Sequence, residues 1–233
     1  MSIHAGHRDR LKNRFLEEGL EGFDEINVLE LLLFYALPRQ DTNPIAHELL
    51  RRFGSLSGVL EAPAETLAQV PGMGPHAATL ISLIPALCRR YMVSRQEDRP
   101  YLTSTAQCGD YLIPRFFGFR DEVVCLLCLD AKCRVISCQE IGRGSVNSAG
   151  VPTRRIVECA LAANAISVVL AHNHPSGIAL PSREDVETTR RLAQALDAVG
   201  IILADHIIVA DEDFVSLADS RLFAPCQPSP LRP

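Results

Sequence analysis

The chain has 233 residues, 47% of them hydrophobic and 22% charged, with a formal net charge of −5. That length suits one large domain or two smaller ones with a real core, and no apolar run reaches the roughly 20 residues that a membrane-spanning helix needs. The charge divides evenly, −2 over residues 1–100 and −3 over residues 101–233, so neither half has the basic excess of an electrostatically driven nucleic-acid binder. The opening MSIHAGHRDRLKNRF lacks the apolar stretch of an export signal, which places the expected chain in the cytoplasm with its eight cysteines reduced.

Residues 8–36 read as helical. Leu11, Phe15 and Leu16 share one side, Gly19 and Gly22 interrupt, and INVLELLLFYAL begins a second, more buried helix that ends at Pro38. Asp41-Thr42-Asn43-Pro44 is a turn into a third helix, with Pro44 suited to its first position. Two short helices are expected from GVLEAP and AETLAQV. Residues 70–81, VPGMGPHAATLI, then place Gly72 and Gly74 in a tight turn ahead of an Ala-rich helix. Free N–H groups at such a helix start can receive a phosphate, and phosphate contacts carry no base specificity. Pro75-His76 supplies no adjacent Lys or Arg, so the turn is equally suited to packing or partner docking.

Residues 92–104 are polar, charged and broken by Pro100, and residues 96–104 are expected to form a linker. AQCGDYLIPRFFG reads as a helix on a sheet, and EVVCLLCLD and RVISCQEIG as a β-hairpin. Cys125, Cys128, Cys133 and Cys138 have spacings that invite a metal cluster. Alternation argues against it, because Cys125 and Cys128 would point to opposite faces of a strand. After the polar loop RGSVNSAG, Pro152 and Thr153 open the helix TRRIVECALAANA, where Arg154 and Glu158 are one turn apart.

Residues 166–185, ISVVLAHNHPSGIALPSRED, carry the chemistry. The run Ile166 to Ala171 reads as a strand buried on both faces, stopped by Pro175 and Gly177. His172 and His174, two apart, point to the same side if the strand stays extended. Asp185 follows in the first turn of the next helix. Two imidazoles, a carboxylate and an open position make a plausible catalytic zinc site. Ser182-Arg183-Glu184-Asp185 also reads as a helix cap, with Asp185 favouring the helix dipole, a second job that Asp185 cannot easily combine with metal ligation. The long amphipathic helix ends at Gly200. ILADHIIVA is a further strand carrying Asp205-His206, FVSLAD closes the domain, and a Pro-rich tail at 224–233 is expected to be disordered.

The pattern His172-x-His174-x7-Ser182-x2-Asp185 is similar to the signature of the JAMM (MPN-plus) metallopeptidases, and AHNHPSG…PSRED looks like its RadC-family version. GHRDRLKNRF, LELLLFYALPRQDTNPIA, the PGMG turn, RGSVNSA and LADHIIV resemble RadC segments in the family's order. The PGMG turn itself resembles the helix-hairpin-helix, a module that grips nucleic-acid backbone. The resemblance implies an α/β fold, a JAMM/MPN-like curved mixed sheet flanked by helices over 105–223. It also implies a small all-α helix-hairpin-helix domain over 1–95. It further implies a zinc ion on His172, His174 and Asp185, with Ser182 stabilising the oxyanion and an upstream glutamate as general base. Glu140, at the end of its predicted strand, is the expected base, and Glu158 the alternative. The activity implied is hydrolysis of a peptide or isopeptide bond. The other reading is a DNA-binding repair or recombination accessory protein whose metal domain is a scaffold. Zinc deaminases fit less well, since they pair H-x-E with a downstream P-C-x-x-C.

Overall fold

The computed structural model describes residues 3–144, 153–226 and 231. The chain divides into two compact units, Met1–Cys88 and Arg89–Pro233. In the first, six helices appear in order: α1 (Ile3–Glu18), α2 (Glu25–Ala36), α3 (Asn43–Phe53), α4 (Leu56–Leu60), α5 (Ala64–Leu67) and α6 (Pro75–Ser94), the last continuing past the unit boundary. Their starts follow from local chemistry. The Asp24 carboxylate accepts the Asn27 N–H at 2.7 Å, Pro44 occupies the first turn of α3, and Ser55 caps α4 through the Gly58 N–H. Leu29, Leu33, Leu49, Leu67 and Ile81 are fully buried and make the core of this unit.

The second unit contains α7 (Thr105–Phe116), β1 (Val123–Leu129), β2 (Val135–Arg143), α8 (Thr153–Ala162), β3 (Ser167–Asn173), α9 (Arg183–Asp197), β4 (Ile202–Ala210) and β5 (Asp213–Ser216). Among the described residues the strands form one mixed sheet in the order β2-β1-β3-β4-β5. Only β3 and β4 are parallel, joined by the α9 crossover; the other pairs are antiparallel. Every residue of β1 and of β3 is buried, which is why both read as unbroken apolar runs. Val124, Leu126, Leu170 and Ile208 face α8 and α9, while Cys125, Leu127, Ala171 and Ile207 face α7. This is the helix-flanked mixed sheet that the sequence leads one to expect, with a helical region before it. Cys125 and Cys128 lie in opposite cores, and none of the eight cysteines is in a disulfide.

The segment expected as a linker is tied to the sheet in its last part. Tyr101 bridges to Arg134, Leu102 N–H donates to Cys133 O at 2.8 Å, and Val135 N–H donates to Pro100 O at 2.9 Å. Most of the RGSVNSAG loop and most of the 224–233 tail lie outside the described residues. No helix of the described residues is long and apolar enough to cross a membrane.

Where α7 crosses the sheet, Gly109 lets the Phe214 ring approach its main chain: a Cβ there would sit 2.3 Å from Phe214 Cε1. Gly109→Ala should therefore destabilise the protein by about 1–3 kcal/mol through overpacking. In urea titrations Phe214→Leu in the same chain should recover part of that loss, and strict additivity of the two substitutions would show that the ring does not set the spacing.

Candidate metal centre

β3 carries the site because pairing on both sides holds it straight to its end. Val124 of β1 lies opposite His172, and Ile208 of β4 flanks it on the other side. The parallel ladder continues beyond the strand, with His174 N–H donating to Val209 O at 2.8 Å. His174 is thereby kept in extended geometry two residues after His172, on the same side of the sheet. The side chain between them points the other way. Asn173 Oδ1 accepts the Val123 N–H at 2.7 Å and its Nδ2 donates to Asp121 O at 3.2 Å, fastening the start of β1 to the end of β3. Gly177, at φ +75°, then turns the chain, and His174 Nδ1 donates to the Ile178 carbonyl at 3.0 Å.

Opposite this strand end stands the first turn of α9. Ser182 is its N-cap and Asp185 its third residue, and the two form a reciprocal capping box. Asp185 Oδ2 accepts both the Ser182 N–H at 2.9 Å and the Ser182 hydroxyl at 2.6 Å. Asp185 Oδ1 faces His172 Nε2 at 3.5 Å, and His174 Nε2 lies 3.9 Å from Oδ2. Capping and facing the histidines are therefore not alternatives, because Oδ2 holds the cap while Oδ1 is turned to His172.

The three side chains place ligand atoms within 4.8 Å of one another. His172 Nε2 and His174 Nε2 are 3.0 Å apart. That is close to the edge of about 3.3 Å that two nitrogens span on a tetrahedral zinc. Burial pushes the His172 pKa down to about 4, against the pull of the Asp185 carboxylate, and His174 alongside adds to the lowering. A neutral imidazole has a lone pair to offer, and two imidazoles with one carboxylate form the donor set that zinc takes at catalytic sites. The residues present fit the ion.

A pocket of about 400 Å³ opens over the cluster, lined by Glu122, His174, Pro175, Ser176, Ser182, Glu184 and Asp185. Glu122 is the residue that the sequence reading passed over. It directly precedes β1, and the register Val124 opposite His172 carries it, two residues earlier, to the level of His174. Its main chain is held from both sides, by the Gly144 N–H donating to Glu122 O at 2.7 Å and by the Val123 N–H on Asn173.

Glu140 is not in this group, which corrects its expected position. A bulge between Val124 and Cys125 sets Glu140 opposite Cys125, on the α7 face of the sheet, away from His172. There its carboxylate pairs with the Arg143 guanidinium at 2.9 Å, and Arg143 lies 5.1 Å over the Phe119 ring. Glu158 is exposed and pairs with Arg154 at 2.7 Å, the solvent-side pair that their spacing suggests. Ser182 adjoins the site, but its one hydroxyl proton goes to Asp185 while its oxygen accepts the Asp185 N–H. The oxyanion role expected of it has no free donor in this arrangement. Gly72 and Gly74 belong to the helical unit. Gly72 has φ +85° and its Cα faces Ile45 closely, so a Cβ would meet Ile45 Cδ1 at 2.8 Å, whereas Gly74 has open space around it.

Residues 102–222, just over half of the chain, match the family model described as RadC-like JAB domain.

Full-length protein should bind about one zinc per chain, and His172→Ala, His174→Ala or Asp185→Ala should each remove most of it by elemental analysis. Zinc content unchanged in Asp185→Ala would mean that this carboxylate serves the helix alone. Without metal, stability should depend on acid in a defined way. The folded state keeps His172 neutral down to about pH 4, whereas the unfolded chain takes up that proton near pH 6.5. Stability is thus full above pH 6.5 and falls as the pH drops towards 4. Urea midpoints of chelator-treated protein should show this fall, reduced in His172→Gln.

Proposed function

The chain belongs to the RadC-like JAB domain family, and from that premise we propose that it is a zinc-dependent hydrolase of the JAMM type, cleaving the amide bond of a peptide or isopeptide. The observation that carries this reading is the convergence of His172, His174 and Asp185 beside a pocket that His174 and Asp185 line together with a separate carboxylate, Glu122.

Zinc held by His172, His174 and Asp185 would supply a Lewis acid and lower the pKa of a bound water into the neutral range. The remaining work falls to the chain's own side chains. Amide hydrolysis needs one group that takes a proton from the attacking water and delivers it to the departing nitrogen as the C–N bond breaks. Glu122 lines the pocket directly before the strand that runs antiparallel to the ligand strand, and it is not one of the three ligands. We assign it the role of general base and then general acid. Ser182 acts through Asp185: its N–H and hydroxyl hold Oδ2, which fixes the direction in which Oδ1 points. Ile178 and Leu180, 63% and 70% exposed, follow the turn whose carbonyl anchors His174. They offer an apolar shelf for a side chain of an extended substrate beside the pocket.

Zinc-loaded protein should be tried on a panel of unstructured peptides and isopeptide-linked conjugates. On any substrate cleaved, Glu122→Gln should lower turnover by about 10²–10⁴-fold with zinc content unchanged, since a proton acceptor is lost and no ligand is. Glu140→Gln should remain within a few-fold of the parent. Normal turnover by Glu122→Gln would reverse the assignment, and a zinc-loaded protein inert on the whole panel would favour a scaffold role for this domain.

A further inference from the structure

Behind His172, on the side away from the pocket, lie two fully buried polar side chains that hydrolysis does not use. His206 comes from β4 and Thr189 from α9. His206 Nε2 is 2.8 Å from His172 Nδ1, and His206 Nδ1 is 2.6 Å from Thr189 Oγ1. Thr189 Oγ1 is in turn 2.6 Å from the main-chain oxygen of Asp185.

The direction of every bond in this chain follows from its far end. A carbonyl oxygen only accepts, so the Thr189 hydroxyl gives its single proton to Asp185 O. Towards His206 the hydroxyl can then only accept, and His206 Nδ1 must carry a hydrogen. His206 is enclosed completely and neither ring nitrogen meets a carboxylate, so the ring carries its one hydrogen on Nδ1 and its other nitrogen, Nε2, is an acceptor. His172 Nδ1 is therefore the donor, and the lone pair of His172 sits on Nε2. On the opposite side of the cluster, the bond from His174 Nδ1 to the Ile178 carbonyl leaves the His174 lone pair on Nε2 as well. Both lone pairs face one point, flanked by Asp185 Oδ1.

We infer that Thr189 and His206 are positioning residues that set the tautomer of His172 from the main chain of Asp185, locking the strand ligand and the helix ligand into one acceptor set for a divalent cation. The inference rests on the metal-site reading above and deepens it. With the opposite tautomer, His172 would present a hydrogen to the cation position. The circuit also joins α9 to β3 through β4, so the distance between His172 and Asp185 is held by hydrogen bonds as well as by packing. Groups that hydrogen-bond to metal-bound histidines typically account for about 10–100-fold in metal affinity.

The test uses the full chain. Zinc affinity is measured by competition with a chromophoric chelator, and imidazole ¹⁵N spectra are recorded with and without zinc. Thr189→Val keeps the shape but removes the hydroxyl, and should weaken zinc binding about 10–100-fold, while Thr189→Ser should stay within a few-fold of the parent. In the parent, His206 should carry its hydrogen on Nδ1, and that preference should be lost in Thr189→Val. Should Thr189→Val fail to fold, as read by circular dichroism, the parent spectrum and Thr189→Ser still decide. A parent His206 protonated on Nε2 overturns the inference, as does undiminished zinc affinity in folded Thr189→Val. Both results leave the metal site standing, whereas a parent chain that binds no zinc removes the metal reading and this inference together.

Discussion

The antiparallel pairing of β1 with β3, in the register that sets Val124 opposite His172, is the constraint on which the site depends. It is held from inside the sheet by seven fully apolar positions of β1 and from the end by Asn173, whose amide both accepts from Val123 and donates to Asp121. A slip of one residue would turn every side chain of β3 to the other face. His172 would then point at α7 and Asn173 at Asp185. Because each face is packed against helices, such a slip would also put His172 among Cys125 and Leu127 without its partners. The core therefore fixes the chemistry by making the wrong register expensive.

Two elements of different kinds meet at this strand end. The parallel partner β4 extends the ladder to His174 and brings His206 behind it, while α9 arrives with its N-terminus pointed at the cluster. An aspartate in a first helical turn is favoured there by the helix dipole and by the cap, and Asp185 takes that position while almost fully buried. The local rule for starting a helix and the requirement for a negative ligand select the same residue at the same position. This is why the loop from Pro175 to Pro181 can be exposed without loss of the geometry.

How far the site was legible in the sequence follows from how local each part is. His172 and His174 could be read from alternation within one strand, and Ser182 and Asp185 from capping within one helix turn. Glu122 could not be read this way. It reaches the site through the pairing of strands some fifty positions apart, and nothing in EVVCLLCLD states which end of that strand abuts His174. Glu140 misled for the same reason, sharpened by one residue. Without the bulge at Val124/Cys125, regular pairing would set Glu140 opposite Leu126, on the face that His172 shares; the extra residue sends it to the other face. A signal for Glu122 was present as the acid directly before VVCLLCL, the apolar strand that pairs with β3. Strands β1 to β4 and the helices around them were legible because their apolar patterns are distinct, whereas β5, four residues long, read only as a short closing element.

The polar residues enclosed in this otherwise apolar half-core bear on whether the cluster holds an ion. His172, Thr189, Asp185 and His206 are all buried, and a core built for stability alone would place apolar side chains there. Three of the four discharge their polar atoms on one another, and the circuit closes with one exception. The Nε2 atoms of His172 and His174 face each other at 3.0 Å, and the circuit directs a lone pair from both. Two acceptors at that distance repel unless a positive charge lies between them. A shared proton is the only candidate within the chain itself, and burial lowers the affinity of His172 for it. A divalent cation, with the Asp185 carboxylate alongside, satisfies both lone pairs at once and offsets the cost of desolvating the carboxylate. His172, His174 and Asp185 are thus placed so that they could hold a metal ion, and a cation there would satisfy the polar atoms that the circuit leaves facing each other.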